Sequence, residues 1–154
     1  MINSRLILFV LGVLITVLGF FMIIPLLFEI ISKSVNISSF FISLSLSLLI
    51  GISLVLAFKC KEKSLSIKDT LVITSISWPV LCIFASMPFY LDTGTANFSN
   101  AFFEAASGLT TTGASVYVNV EILTKGILIW RAILQWLGGL GIIIFAIGIL
   151  PILN

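Results

Sequence analysis

Residues 105–116, Ala-Ala-Ser-Gly-Leu-Thr-Thr-Thr-Gly-Ala-Ser-Val, place three successive threonines directly before a glycine. Gly113 can adopt a positive φ, which costs other L-residues roughly 1–2 kcal/mol. A chain segment of this kind can point several carbonyl oxygens in one direction, and such oxygens replace the water around a cation without adding net charge. The threonine hydroxyls can hold the segment or add an oxygen ligand. The run therefore predicts cation coordination at residues 110–113, with an ordinary turn in an outer loop as the alternative.

The residues before the run predict the element that positions it. Over residues 97–108, Phe98, Ala101, Phe102 and Ala105 recur at spacings of three and four, which is typical of a short amphipathic helix. Its partly negative C-terminal end would face the candidate cation. Non-helical backbone at membrane depth is tolerated only where protein buries it or water reaches it. We therefore expect a re-entrant pore helix at about 97–108 and an extended filter loop at 110–114.

The composition predicts a membrane protein. The chain is 60% hydrophobic and 9% charged, with a mean hydropathy of +1.29, whereas about a quarter of the residues in a soluble domain are charged. Long uncharged stretches lie within 5–29, 33–59 and 69–92 and after residue 131. Each reaches the ~20 residues that a helix needs to cross the bilayer. The predicted fold is an all-α membrane protein with four transmembrane helices plus the re-entrant pore helix.

Several function classes are disfavoured by the residues that are scarce. The sequence contains no histidine, the commonest general base and metal ligand. Cys60 and Cys82 fall in different predicted segments, so no disulfide is expected. No plausible nucleophile–base set is present, and the net charge of +2 is small. We therefore expect neither an enzyme nor a cofactor, and no nucleic-acid partner.

The basic residues predict an orientation. Most of them lie before the first span or between the second and third: Arg5, Lys59, Lys61, Lys63 and Lys68. Three others lie elsewhere and count against the same orientation: Lys33, Lys125 and Arg131. Because cytoplasmic loops are enriched in Lys and Arg, residues 61–69 are predicted to form a cytoplasmic loop and the N-terminus to be cytoplasmic. This loop is either an ordinary topogenic loop or a docking surface for a cytosolic partner or anionic lipid.

Packing and interface positions can also be predicted. Gly12 and Gly19 share a helical face that would let another helix approach closely. Pro25 would kink or end the first span, and Glu29 is interpreted as an interfacial carboxylate. The indole rings of Trp130 and Trp136 are interpreted as interfacial anchors of the last span.

The last span contains a glycine cluster and one charge. Gly138, Gly139 and Gly141 permit tight packing, bending or partial unwinding. Together with Arg131, they are candidates for a gating or packing role. Arg131 would either extend outward to the interface or pair with an acid, for which Glu104 and Glu121 are candidates.

Two segments carry a family resemblance. Residues 103–114, Phe-Glu-Ala-Ala-Ser-Gly-Leu-Thr-Thr-Thr-Gly-Ala, resemble the first pore loop of the Trk-type potassium uptake proteins of the Trk/Ktr/HKT superfamily. Trp130-Arg131 and residues 135–142, Gln-Trp-Leu-Gly-Gly-Leu-Gly-Ile, resemble the helix that comes after this pore loop in the family. Two extra helices within residues 1–60, before a first membrane–pore–membrane repeat at 70–154, also agree with the Trk subgroup.

The resemblance implies a potassium-selective pathway with four such repeats around a pseudo-fourfold axis, each contributing one filter strand. Potassium would be the substrate, coordinated at Thr111 and Thr112 within a set of four backbone carbonyls: Thr110, Thr111, Thr112 and Gly113. Residues expected to support the pore helix and the filter are Glu104, Ser107, Gly108 and Ala114. A multi-pass protein of the cytoplasmic (inner) membrane is implied, contacting lipid and working, usually as a membrane dimer, with a cytosolic nucleotide-binding regulatory subunit.

The sequence contains one repeat, and one filter strand cannot surround an ion. We therefore expect the filter-bearing N-terminal part of a split or truncated transporter, completed by the remaining repeats, or a ring of further copies of the chain. The alternative is a non-conducting fragment, from a decayed or split gene, with a structural or assembly role.

Overall fold

The computed structural model describes residues 3–34, 36–59, 67–92 and 97–149, and this part of the chain is helical with no strand. The helices in chain order are α1 Ser4–Phe21, α2 Ile23–Ile31, α3 Ile37–Ala57, α4 Ile67–Leu91, α5 Phe98–Leu109 and α6 Lys125–Ile149, with a single 3-10 turn at Val120–Ile122. Three segments of the described chain are long and apolar enough to cross a membrane: Ser4–Ile31, Ile37–Ala57 and Lys68–Leu91. The prediction of an all-helical membrane protein is confirmed.

The first helical segment is interrupted close to its proline. α1 ends at Phe21 and α2 starts at Ile23, with Met22 between them. Pro25 therefore lies in the first turn of α2, where a missing backbone N–H removes no helical hydrogen bond. The predicted break near Pro25 is confirmed, but it comes three residues earlier than the proline itself.

α1 and α3 pack closely because glycines line their contact. A Cβ added at Gly12 would lie 2.7 Å from the Cβ of Leu54, and one added at Gly19 would lie 3.0 Å from Cδ2 of Leu48. On the opposite helix, a Cβ at Gly51 would overlap the hydroxyl of Thr16. The predicted close approach at Gly12 and Gly19 is confirmed, and α3 is the helix that uses it.

The buried core is centred where α4, α5 and α6 meet, and α1 and α3 add Leu18 and Phe40 to it. Phe89, Ala101, Ala105 and Leu134 are fully buried there, together with Trp130. The indole Nε1 of Trp130 donates a 3.0 Å hydrogen bond to the carbonyl of Ala85 in α4. A buried Trp usually pairs its N–H with an acceptor, and α4 supplies one.

The interpretation of Trp130 as an interfacial anchor is therefore wrong, because its ring is part of the core. Trp136 is 57% exposed and its ring meets Phe21 edge-on, with centroids 5.9 Å apart.

Helix ends are joined by polar contacts at one end of the bundle. Glu29 of α2 is fully buried, and its Oε1 accepts a 2.7 Å hydrogen bond from the backbone N–H of Gly126. Nearby in sequence, the Nδ2 of Asn36 donates to Oδ1 of Asp92 at 2.6 Å and to the hydroxyl of Thr124 at 3.4 Å. The interpretation of Glu29 as an interfacial carboxylate is wrong, because α2 packs on α6 and brings the side chain onto the first turn of that helix.

The predicted cytoplasmic loop at 61–69 is only partly within the described residues. α4 begins at Ile67, so the last three residues of the predicted loop are already helical. Asp69 accepts a 2.9 Å hydrogen bond at Oδ1 from the backbone N–H of Asn3, which joins α4 to the start of α1. Cys60, Lys61 and Lys63 lie outside the described residues.

Candidate cation-coordinating loop

The chain turns sharply where α5 ends, and its backbone amides point back toward the helix. The N–H of Thr110 donates to Ala106 O at 2.8 Å, and the N–H of Thr111 to Gly108 O at 2.9 Å. Two further amides share the carbonyl of Ser107 as acceptor: Thr112 at 3.0 Å and Gly113 at 3.4 Å. Carbonyls that a helix end normally leaves without a partner are satisfied in this way.

The carbonyls of the same four residues are left free. In the described part of the chain, no backbone amide donates to the oxygens of residues 110–113, and all four residues are exposed. The next carbonyl, that of Ala114, accepts a 2.6 Å hydrogen bond from the hydroxyl of Ser107. The exposed run of free carbonyls is four residues long, because Leu109 before it is buried and the carbonyl of Ala114 after it is bonded back to α5.

Two backbone conformations shape the loop. Gly113 has φ +77 and Thr111 has φ +59. Positive φ at Gly113 confirms the expectation from its residue type, and the position has room for a Cβ, whose nearest atom, Nε2 of Gln135, would be 3.7 Å away. Conformation rather than space therefore favours glycine here. Positive φ is unusual for a β-branched residue, and nothing in the sequence predicted it at Thr111.

The loop is not extended throughout, contrary to the prediction for 110–114. Thr110 has φ −82 and ψ 1, and Thr111 is left-handed, so these two residues form a turn. The reason is the set of hydrogen bonds from the backbone amides of the loop to carbonyls of α5, which reverses the chain before residue 112.

The threonine hydroxyls form a short chain. Thr110 Oγ1 donates to Ala106 O at 2.8 Å, and Thr110 Oγ1 lies 2.8 Å from Thr112 Oγ1. Because a hydroxyl has one proton to give, Thr112 must be the donor to Thr110. The lone pairs of Thr112 Oγ1 then remain available beside the free carbonyls.

A buried carboxylate holds the segment after the loop. Glu104 is 1% exposed, and its Oε2 accepts a 2.9 Å hydrogen bond from the backbone N–H of Val116. Ser115 Oγ lies 2.9 Å from its Oε1, and Nη1 of Arg131 forms an ion pair with the same oxygen. Arg131 Nη1 is also 3.3 Å from Ser115 Oγ. Glu104, rather than Glu121, is therefore the acid that pairs with Arg131.

Glycines let α5 approach α6. A Cβ at Gly138 would overlap the carbonyl of Leu109, the last residue of α5, and a Cβ at Gly108 would lie 3.0 Å from the Cβ of Leu134. These two glycines are therefore packing positions.

The other two glycines of the cluster are less crowded. A Cβ at Gly139 would be 3.9 Å from Thr111 Cγ2, and one at Gly141 would meet nothing within 4 Å. Gly141 borders an apolar cavity of about 350 Å³ that is lined by α1, α4 and α6 and by Leu109 at the end of α5.

Sequence reasoning located the free carbonyls but missed most of the contacts that hold them. Ser115, Val116 and Trp130 were not predicted to bind their observed partners. The sequence contained one indication that Ser115 contacts another residue: it carries a hydroxyl group directly after the loop. No sequence pattern indicated that the amide of Val116 would meet Glu104.

A helical membrane protein with a short helix, a reversed loop and a run of free carbonyls has the features of a cation-transport protein. The sequence matches the family described as "TrkH: Cation transport protein" over residues 36–154. The chain belongs to this family.

Related proteins agree with this assignment. The chain is 40% identical over 146 residues to the Trk system potassium uptake protein TrkI of Halomonas elongata, a match that covers 94% of the chain and 30% of the relative. It is 35% identical over 146 residues to the Trk system potassium uptake protein TrkH of Escherichia coli K12, with the same 94% and 30% coverage.

A solved structure is similar over nearly the whole chain. The crystal structure of the potassium transporter TrkH from Vibrio parahaemolyticus superimposes with a TM-score of 0.91 at 33% identity, covering 97% of this chain and 32% of that one. The chain thus spans about a third of the length of the proteins it matches.

Proposed function

We propose that the chain is the N-terminal, filter-bearing part of a Trk-type potassium uptake system and supplies one of the strands that coordinate the ion. The observation that carries this proposal is the run of four exposed carbonyls, residues 110–113, whose own amides are bound to α5. The identity of the ion is inferred from the names of the relatives, since the two compared above are potassium uptake proteins.

The physical argument is one of hydration. A cation moved into a medium of low dielectric loses tens of kcal/mol of hydration, and carbonyl oxygens can return most of it without adding charge. Thr111 and Thr112 lie in the middle of the run, so their carbonyls are the proposed potassium ligands, with Thr110 and Gly113 on either side. The hydroxyl of Thr112 is a further oxygen available to the ion.

One strand cannot enclose an ion, so the pathway needs partners. We propose that the remaining repeats of the transporter complete it, because the chain spans about 30% of each relative's length. Further copies of the chain around one axis are the alternative source of strands. A cytosolic nucleotide-binding regulatory subunit is a proposed partner as well, together with membrane lipid.

In the membrane we propose four spanning helices, with α5 re-entrant between α4 and α6. α6 is 25 residues long, enough to cross about 30 Å of hydrocarbon. The N-terminus and the lysine-rich segment before α4 are then cytoplasmic. The candidate loop at 110–114 enters the cytoplasmic (inner) membrane from its outer side.

A second candidate is a structural role without conduction. It is favoured by the presence of a single coordinating strand in a chain that spans about a third of its relatives. In that case the chain would assemble with other helices without passing ions.

The test uses cells that lack their own potassium uptake systems. The chain is expressed alone and as a chimera, in which it replaces the matched region of the E. coli K12 relative. We expect rubidium uptake by the chimera and at least a tenfold loss for its Gly113→Ser variant, because the left-handed conformation at Gly113 would be strained. Ala57→Ser serves as the control, because Ala57 is exposed at the end of α3, far along the chain from the loop.

If a chimera present in the membrane carries no rubidium, transport by this chain is refuted and the structural role is favoured. Uptake by the chain alone would favour the ring of copies over the missing repeats.

A further inference from the structure

The first turn of α6 is held by a side chain from a distant part of the sequence. Glu29 of α2 is fully buried, and its Oε1 accepts the backbone N–H of Gly126 across a separation of 97 residues. The first N–H groups of a helix have no partner inside it. Glu29 therefore caps α6 from another helix.

The cap is built around a glycine and a charge. A Cβ at Gly126 would overlap the carboxylate of Glu29, so the contact requires the missing side chain. Among the described residues, the second oxygen, Oε2, has no hydrogen-bond partner. A buried carboxylate with one oxygen unsatisfied is costly, and the partly positive N-terminus of α6 is the feature that stabilises it.

The capped turn leads directly to the residues behind the candidate loop. Arg131 lies five residues beyond Gly126, about 7.5 Å along the helix. Its guanidinium pairs with Glu104, which in turn accepts the N–H of Val116 at 2.9 Å. The position of the first turn of α6 therefore contributes to where Arg131 meets Glu104, together with the bond of Trp130 to Ala85.

We propose that Glu29 is a positioning residue for the candidate loop: it fixes the first turn of α6 and, through Arg131 and Glu104, the segment after the four free carbonyls. Its consequence for ion selection rests on the proposed function, whereas its effect on the loop's backbone does not. α2, which precedes the pore repeat in the chain, would then act on the ion pathway and not only anchor the chain.

The first test measures hydrogen exchange at single amides of the full chain in lipid nanodiscs. Glu29→Ala should speed exchange at Gly126 about tenfold, as expected for loss of a hydrogen bond to a charged group, and should also speed exchange at Val116. Glu29→Gln keeps an acceptor oxygen and should restore at least part of the protection. Glu121→Ala, the matched control at an exposed acid, should change neither amide.

Two results overturn the proposal. Unchanged exchange at Gly126 in Glu29→Ala would mean that the carboxylate does not hold α6. Faster exchange at Gly126 with unchanged exchange at Val116 would mean that the cap is local and does not position the loop.

A double-mutant cycle tests the contact from the other side. Gly126→Ala should speed exchange at Val116 by displacing the carboxylate, and this effect should shrink in the Glu29→Ala background, where the added methyl has room. Equal effects in both backgrounds would contradict the proposal.

In the chimera, Glu29→Ala should lower the rubidium-to-sodium uptake ratio by about threefold or more, the order of effect seen for residues that act on a site without touching it, while Glu121→Ala leaves it unchanged. An unchanged ratio in an active chimera overturns the link to ion selection. If the unmutated chimera carries no rubidium, the proposed function fails, and exchange at Val116 still decides whether Glu29 positions the loop.

Discussion

Removing the charge of Glu104 should be among the most damaging single changes near the loop. Glu104→Gln keeps the size and one acceptor oxygen but leaves Arg131, whose side chain is 14% exposed, without its counter-charge. Breaking one partner of a buried ion pair costs about 3–5 kcal/mol. Because Arg131 retains some contact with solvent, we expect the lower end, about 3 kcal/mol.

The measurement is thermal unfolding of the purified chain in detergent. For a chain of this size, 1 kcal/mol shifts the midpoint by roughly 2–4 °C, so Glu104→Gln should lower it by roughly 6–12 °C. The double variant Glu104→Gln/Arg131→Gln should recover part of the loss, because removing both charges is far less costly than leaving one of them without its counter-charge. A midpoint within about 2 °C of the unmutated chain, or a double variant less stable than both single variants, would refute this account of the ion pair.

Other substitutions test separate contacts. Gly138→Ala places a methyl on the carbonyl of Leu109 and should destabilise the chain by about 1–3 kcal/mol, measured by thermal unfolding. Gly141→Ala, with nothing within 4 Å of the added methyl, should not destabilise the chain and should stabilise it by up to about 1 kcal/mol in the same assay, because alanine favours a helix over glycine. Gly113→Ala should cost about 1–2 kcal/mol, because φ is positive there, and should lower rubidium uptake by the chimera. Trp130→Phe removes a buried indole hydrogen bond and should cost about 1 kcal/mol.

Three outcomes would contradict these predictions. Equal stability of Gly138→Ala and Gly141→Ala would mean that α5 and α6 do not approach as described. Unchanged uptake in Gly113→Ala would show that transport does not need the left-handed conformation at this position. Unchanged stability of Trp130→Phe would show that the indole hydrogen bond does not stabilise the chain.

Local features of the loop could be predicted because they depend on neighbouring residues. The glycine at position 113 indicated a positive φ from its residue type alone, and the periodic apolar residues before the loop indicated a helix. The left-handed Thr111 gave no signal, since β-branched residues rarely adopt that conformation.

Tertiary partners could not be predicted in the same way. Hydropathy places a residue at a depth along a helix but does not say which neighbour it faces. Glu29 and Trp130 both lie near the ends of apolar stretches, which is why each was assigned to an interface. Their partners, Gly126 and Ala85, are 97 and 45 residues away in sequence.

The central claim is that backbone oxygens of the loop coordinate the transported ion. Anomalous diffraction from crystals of the chimera grown in rubidium tests it most directly. We expect an anomalous peak within coordination distance of the carbonyl oxygens of Thr111 and Thr112. A well-diffracting crystal with rubidium bound elsewhere in the pathway, and none at these two carbonyls, would contradict the claim.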